Sequence, residues 1–339
     1  MRRGVTVAFA AAVTAACLSG GASGAGGKSH SVVVGQVRIW RIAYRAHNGT
    51  RREAFVALPG WYRRGHAPPI PLVISPHGRG VTGRENLRLW GQLPAAGSFG
   101  VVSPDGQGRL LPNYSWGSAG QIDDLARMPQ IVKLTLPWVH IDEQRIYAVG
   151  GSMGGQETLL LVAHHPALLA GAAAFDPVVD FTLQYREFPR LGCSKSCRKL
   201  WNGPLGRSLQ ALARAELGGP PGRAGYAYEL RSPLTYARAI AFSRVPLQLW
   251  WSRRDAIVID QQRQTARLFN SILKLNPRAD LVGFTGGWRH SAEMRAKTRL
   301  PLSLALFGLL PSRYARLNGL VVKAPPPQSG SGRQFRSHG

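Results

Sequence analysis

Apolar and polar residues change period several times along the chain, and the changes mark out elements. Between residues 37 and 58, two alternating segments flank His47-Asn48-Gly49-Thr50. Alternation gives a strand one buried and one wet face, and Asn-Gly tolerates the positive φ of a tight turn, so an antiparallel hairpin is expected. Further on, the apolar runs become short and unbroken, at 71–75, 99–103, 145–149, 169–175, 246–251 and 280–284. Runs of that length without a polar face suit strands covered on both sides. Stretches of helical character lie between most of them, for instance 122–136 and 154–165. This alternation predicts an α/β domain over about 32–315, with a mostly parallel sheet opened by the hairpin and helices on both faces.

The alternation fails between 176 and 245. That segment carries Cys193 and Cys197, a helical stretch near 205–217 and a Gly-Pro-rich run over 218–225, and it reads as an inserted cap. The two ends differ from the rest. Met1-Arg2-Arg3, an apolar run over 5–18 and small residues through Gly27 have the layout of a secretory signal peptide, 1–27, and the apolar run is too short to span a bilayer. Cys17, after Ala15-Ala16, has a second reading as a lipoprotein acylation site; otherwise it leaves with the leader. Export puts the mature chain outside the cell or in the cell envelope, where a Cys193–Cys197 disulfide is favoured over two free thiols. Residues 324–339 offer Phe335 as their one large apolar side chain and are expected to be a disordered basic tail.

Composition narrows the classes. With 44% hydrophobic and 18% charged residues the chain can bury a sizeable core, so it is not a disordered protein. Forty-three basic against seventeen acidic residues give +26, a balance that raises nucleic acid or an anionic surface as a partner. The excess is mostly arginine, however, scattered in pairs rather than grouped with aromatics along one element. A solvated basic surface is expected, with no nucleic-acid partner and no transmembrane helix.

One motif carries chemistry. The run Gly150-Gly151-Ser152-Met153-Gly154-Gly155 contains G-x-S-x-G between an expected strand and an expected helix. Small residues around the serine allow a turn tight enough to hold its hydroxyl out on a bare corner, with the helix aiming its first amides at the same place. A serine hydroxyl becomes a competent nucleophile when a histidine takes its proton and a carboxylate orients that histidine. Asp255, beyond 246–251, and His290, beyond 280–284, both fall at expected strand ends, and no other histidine lies between His165 and the final few residues. Asp176, at the end of 169–175, is an alternative acid, and Asp180 and Asp260 are further ones. The oxyanion formed on attack needs amide donors, expected from the N–H groups of Met153 and of Arg79 in the loop His77-Gly78-Arg79-Gly80. His77 is expected to brace that loop. The Arg79 side chain is expected in solvent, with contact to an acidic substrate as the alternative. No cofactor is expected, and no metal, since no histidine or further cysteine stands near the Cys193/Cys197 pair. Trp90, Tyr114, Trp116 and Trp288 are candidates either for an acyl pocket or for the core.

Residues 73–80, Val102-Ser-Pro-Asp-Gly-Gln-Gly-Arg, Tyr114-Ser-Trp-Gly, Asp123-Asp124 and Gly150-Gly-Ser-Met-Gly-Gly resemble the secreted esterases related to polyhydroxybutyrate depolymerases and to feruloyl or acetylxylan esterases. Arg231-Ser-Pro-Leu-Thr-Tyr-Ala, Arg253-Arg-Asp-Ala-Ile-Val and Gln261-Gln262 are similar instead to the catalytic domain of the prolyl oligopeptidase family. Together these likenesses cover about 50–310 and imply an α/β-hydrolase fold with Ser152, Asp255 and His290 as triad. Trp250-Trp251-Ser252 stands where those families carry a His-Gly pair, and no β-propeller is expected ahead of the domain. Ester hydrolysis through an acyl-enzyme is the leading expectation, a propeller-free peptidase the second, and a binding protein that keeps the fold without the chemistry the third.

Overall fold

A computed structural model of the chain describes residues 30–191, 206–316 and 319–323. The leader with Cys17, the Cys193/Cys197 pair and the 324–339 tail lie outside the described residues. Ten strands form one sheet: β1 (His30–Val34), β2 (Val37–Arg45), β3 (Arg51–Pro59), β4 (Ile70–Ile74), β5 (Gly100–Pro104), β6 (Ile141–Gly151), β7 (Gly171–Phe175), β8 (Leu247–Ser252), β9 (Leu281–Gly286) and β10 (Val321–Lys323). Their order is β1-β2-β3-β5-β4-β6-β7-β8-β9-β10. The strands from β5 to β9 pair in parallel, while β1, β2 and β3 at one edge and β10 at the other pair antiparallel.

The hairpin between β2 and β3 turns where the sequence predicts. Gly49 has φ +79°, and the Thr50 N–H and hydroxyl both donate to Asn48 Oδ1, at 3.1 and 2.7 Å. Such a local bond mimics a backbone turn and tolerates left-handed geometry beside it. The unbroken apolar runs became strands buried end to end, as in β4, β7 and β8. Strand geometry sends successive side chains to opposite faces. Leu72, Ala172, Leu249 and Trp251 accordingly join one apolar cluster, whereas Val73, Ala173, Phe175 and Trp250 join another. Trp250 is a core residue, stacked between Phe175 and Phe284 at centroid distances of 4.9 and 4.0 Å.

Among the described residues the α-helices are α1 (Gly83–Leu87), α2 (Leu93–Gly97), α3 (Ala119–Thr135), α4 (Met153–His164), α5 (Phe181–Glu187), α6 (Arg207–Leu217), α7 (Pro221–Glu229), α8 (Ala237–Ala241), α9 (Arg267–Leu275) and α10 (Leu300–Leu306). Among the described residues none is long and apolar enough to cross a membrane. In the segment between β7 and β8, α5 to α7 build a third apolar cluster, in which Phe181, Phe188, Leu209 and Tyr228 meet Trp116 and Met153 of the main domain. Glu216 of α6 ties that segment down. Its buried carboxylate accepts from the N–H groups of Arg109, Leu110 and Leu111 and from the Arg231 guanidinium.

Two strands lie outside the expected set. In β1, Val32, Val33 and Val34 are about half exposed on an edge, and β10 is three exposed residues, so neither has the buried face that makes a strand readable from its pattern.

Candidate active site

β6 runs into Ser152, and α4 starts at the next residue. Ser152 sits at φ +59° and ψ −123°, a conformation that costs a non-glycine residue roughly 1–3 kcal/mol and persists where its surroundings enforce it. Those surroundings are bonds from Ser152 N–H to Phe175 O (2.8 Å) and from Gln156 N–H to Ser152 O (3.0 Å). The serine occupies the N-cap position, yet its side chain makes no capping bond, so the hydroxyl is not spent on the helix. Gly154 has no room for a side chain, since a Cβ there would overlap Pro76 O. That close approach seats the loop carrying His77 and Arg79 directly on the serine turn.

Asp255 and His290 come together at the ends of β8 and β9. His290 Nδ1 lies 2.7 Å from Asp255 Oδ2, and both side chains are almost wholly buried. An ionised carboxylate can only accept, so Nδ1 carries the proton and Nε2 is left as the basic position of the ring. Asp255 is itself fixed by the N–H groups of Ile257 (2.8 Å) and Val258 (3.0 Å) on Oδ1 and by Gln261 Nε2 (3.0 Å) on Oδ2. The turn that holds Ser152 abuts the turn that holds His290: a Cβ on Gly151 would lie 3.2 Å from Ser291 Oγ.

Asp176, the alternative acid, lies in the same cluster but does other work. One ligand-type atom from each of Asp176, Asp255 and His290 lies within 4.8 Å of the others. The Asp176 oxygens accept from Ser252 N–H (2.7 Å), Trp288 Nε1 (2.8 Å) and Ser291 N–H (2.7 Å). It thus pins the β8 loop and both neighbours of the His290 turn to the end of β7. Burial, and then the charge of Asp255, push its carboxyl up from the ordinary carboxylate range. With its lone pairs aimed at N–H donors, the cluster is built to tie these loops together and orient a ring. The remaining acids lie elsewhere, Asp180 capping α5 through Leu183 N–H and Asp260 bonded to Arg263 N–H.

His77 braces its loop. Its Nε2 accepts from Gly106 N–H at 2.7 Å, which leaves Nδ1–H to donate to Gly78 O at 2.7 Å, and burial pushes its pKa down. Met153 N–H stands in the first turn of α4, where the helix supplies no acceptor. The Arg79 side chain departs from expectation, because it is buried rather than solvated, at 6% exposure. Its loop is tied to the 113–116 stretch by Gly80 N–H, which donates to Asn113 O at 2.8 Å, and the Tyr114 phenol of that stretch bears on the guanidinium. Of the four aromatics, Trp90, Trp116 and Trp288 are buried packing residues and Tyr114 is half buried against Trp116. Sequence reading missed Glu157 of α4, which is buried, accepts the Ser115 hydroxyl and is pushed up to about 7 by burial. Its being the one acid of that helix is the signal that could have found it.

Solved structures share this architecture. An acylaminoacyl peptidase of Pyrococcus horikoshii superposes with a TM-score of 0.55 at 13% identity, over 80% of this chain and 41% of that one. The esterase Pf2001 of Pyrococcus furiosus superposes with a TM-score of 0.52 at 14% identity, over 79% of this chain and 90% of that one. The chain has the α/β-hydrolase fold. Within this hydrolase fold, residues 120–194 match the model of the prolyl oligopeptidase family, a stretch that holds α3, β6 and Ser152. NocK of Nocardia uniformis subsp. tsuyamanensis, assigned as an esterase, is 30% identical over 151 residues, 42% of this chain and 39% of NocK. The chain therefore spans well under half the length of that relative.

Proposed function

We propose that this α/β-hydrolase is an exported serine hydrolase that cleaves carboxylic esters through an acyl-enzyme on Ser152. The observation that carries the reading is the pairing of a serine held at φ +59° on a strand-to-helix turn, its hydroxyl unspent, with a buried histidine whose Nδ1 is bonded to Asp255. Ser152 Oγ gives its proton to His290 Nε2 and attacks the carbonyl carbon. The resulting oxyanion is met by the N–H groups of Met153 and Arg79, donors worth roughly 3 kcal/mol each in enzymes of this kind. The imidazolium, stabilised by Asp255, then gives its proton to the leaving alcohol, and water repeats the sequence to release the acid. Similarity to an esterase over 151 residues supports the choice of esters. A fluorophosphonate should label Ser152 and no other serine; labelling elsewhere, or none in native protein, sinks the reading.

Peptide-bond hydrolysis is the second reading, favoured by the prolyl oligopeptidase match over 120–194. Nitrophenyl esters set against aminoacyl nitroanilides separate the two, and fast ester turnover without amide turnover decides for the esterase.

A further inference from the structure

Two arginines are buried beside the serine turn, and their surroundings differ. Arg231 is satisfied: one terminal nitrogen donates to Ser115 O at 2.7 Å and the other to Glu216 Oε1 at 3.1 Å. Arg79 is not. Both of its terminal nitrogens are shut off from solvent, and neither has a hydrogen-bond partner among the described residues. Glu216, which answers Arg231, is committed to three amides as well. The titratable neighbour that bears on it is the Tyr114 phenol. A guanidinium stays protonated even where burial opposes its charge. Leaving such a cation buried and unanswered is unfavourable, and an anion that reaches it recovers part of that cost.

The position of this charge says where the anion belongs. The Arg79 backbone is part of the loop seated on Gly154, two residues from Ser152, and its guanidinium is near enough to the Tyr114 phenol, in the 113–116 stretch, to interact with it electrostatically. There the Trp116 N–H contacts the sulfur of Met153, at 3.4 Å. We propose that Arg79 is a receptor for a carboxylate carried by the substrate, so that the preferred esters are those of acidic compounds; this rests on the hydrolase reading above. A carboxylate is the planar anion that the guanidinium fork matches with two parallel bonds. Arg79 is a specificity determinant, distinct from the role given to its N–H.

The test measures kcat/KM on matched pairs: 4-nitrophenyl hydrogen glutarate against 4-nitrophenyl pentanoate, with the carboxylate on the acyl side, and 4-acetoxybenzoate against its methyl ester, with the carboxylate on the leaving group. The native protein should prefer the charged member of one pair, and which pair it is assigns the carboxylate to the acyl or the alcohol side. In Arg79→Met that preference should fall about 10- to 100-fold, the range of a charge-assisted bond pair, and Arg79→Lys should restore part of it. Equal rates for charged and neutral members in the native protein, or a preference unchanged in Arg79→Met, overturn the proposal. Calorimetry of glutarate binding to Ser152→Ala protein keeps the two readings separable: Arg79-dependent binding without native turnover sinks the hydrolase and spares the receptor, and turnover without binding does the reverse.

Discussion

Two buried carboxylates stand within one cluster, at the ends of neighbouring strands, and differ in what they hold. Asp255, after β8, spends one oxygen on two amides of its own loop and gives the other to Gln261 and His290. Asp176, after β7, spends both oxygens on donors from two other segments, Ser252 on one side and Trp288 and Ser291 on the other. The first is anchored locally and aimed at a ring; the second is a clamp between loops that bears on the ring through its neighbours. A carboxylate at a strand end near Ser152 is therefore not interchangeable with the next one over, because the partner set decides its work.

The sharpest break in that comparison is Asp255→Asn. The amide keeps the shape but can offer its N–H to the ring, which favours the wrong tautomer; kcat should drop by about 10⁴-fold with the melting temperature nearly unchanged. Asp176→Asn should do the opposite. Its NH₂ must face one of three N–H donors, so about 1–3 kcal/mol of stability is lost in a urea titration while kcat falls only about tenfold. Equal kcat losses in the two variants would mean that both carboxylates act on the imidazole as a dyad, and the division of labour would be wrong.

Asp176 shares with Glu157 a pKa raised by burial, and the consequence for stability has a definite sign. A folded carboxyl near 7 binds more protons than its unfolded counterpart near 4.5 throughout the interval between them. Raising the pH across that interval ionises the unfolded chain first, so the contribution of Glu157 to stability is fully present below 4.5 and is lost as pH approaches about 7. The loss amounts to about 3 kcal/mol. Urea midpoints measured from pH 4.5 to 7.5 should fall more steeply in the native protein than in Glu157→Gln. Parallel curves would show that Glu157 is charged in the folded state already at the lower pH.

Much of this arrangement is legible in the sequence, and the reasons lie in period and punctuation. The strand ends that carry Asp255 and His290 follow unbroken apolar runs, and Ser152 is bracketed by glycines that only a tight turn needs, so their positions followed from local pattern. Asp176 could be named as a candidate but not assigned, because its role depends on donors 76 to 115 residues away. The burial of Arg79 was illegible for the same reason: a lone arginine after His-Gly reads as a surface residue until distant segments pack around it. β1 and β10, with no buried face, left no pattern to read.

The smallest effect tests how much of the Asp255 geometry is local. Gln261 donates to Asp255 Oδ2 at 3.0 Å and is itself held by the Thr265 hydroxyl, at 2.6 Å on Gln261 Oε1. Gln261→Leu removes one donor from the oxygen that bonds His290 and leaves the Ile257 and Val258 amides in place on the other. If those two amides set the carboxylate plane, steady-state kcat should fall only about threefold with KM unchanged, a loss of about 0.7 kcal/mol in transition-state stabilisation. A fall approaching that of Asp255→Asn would mean that the orientation of the acid comes from α9 and the turn before it rather than from its own loop, and the contrast with Asp176 would shrink to one of degree.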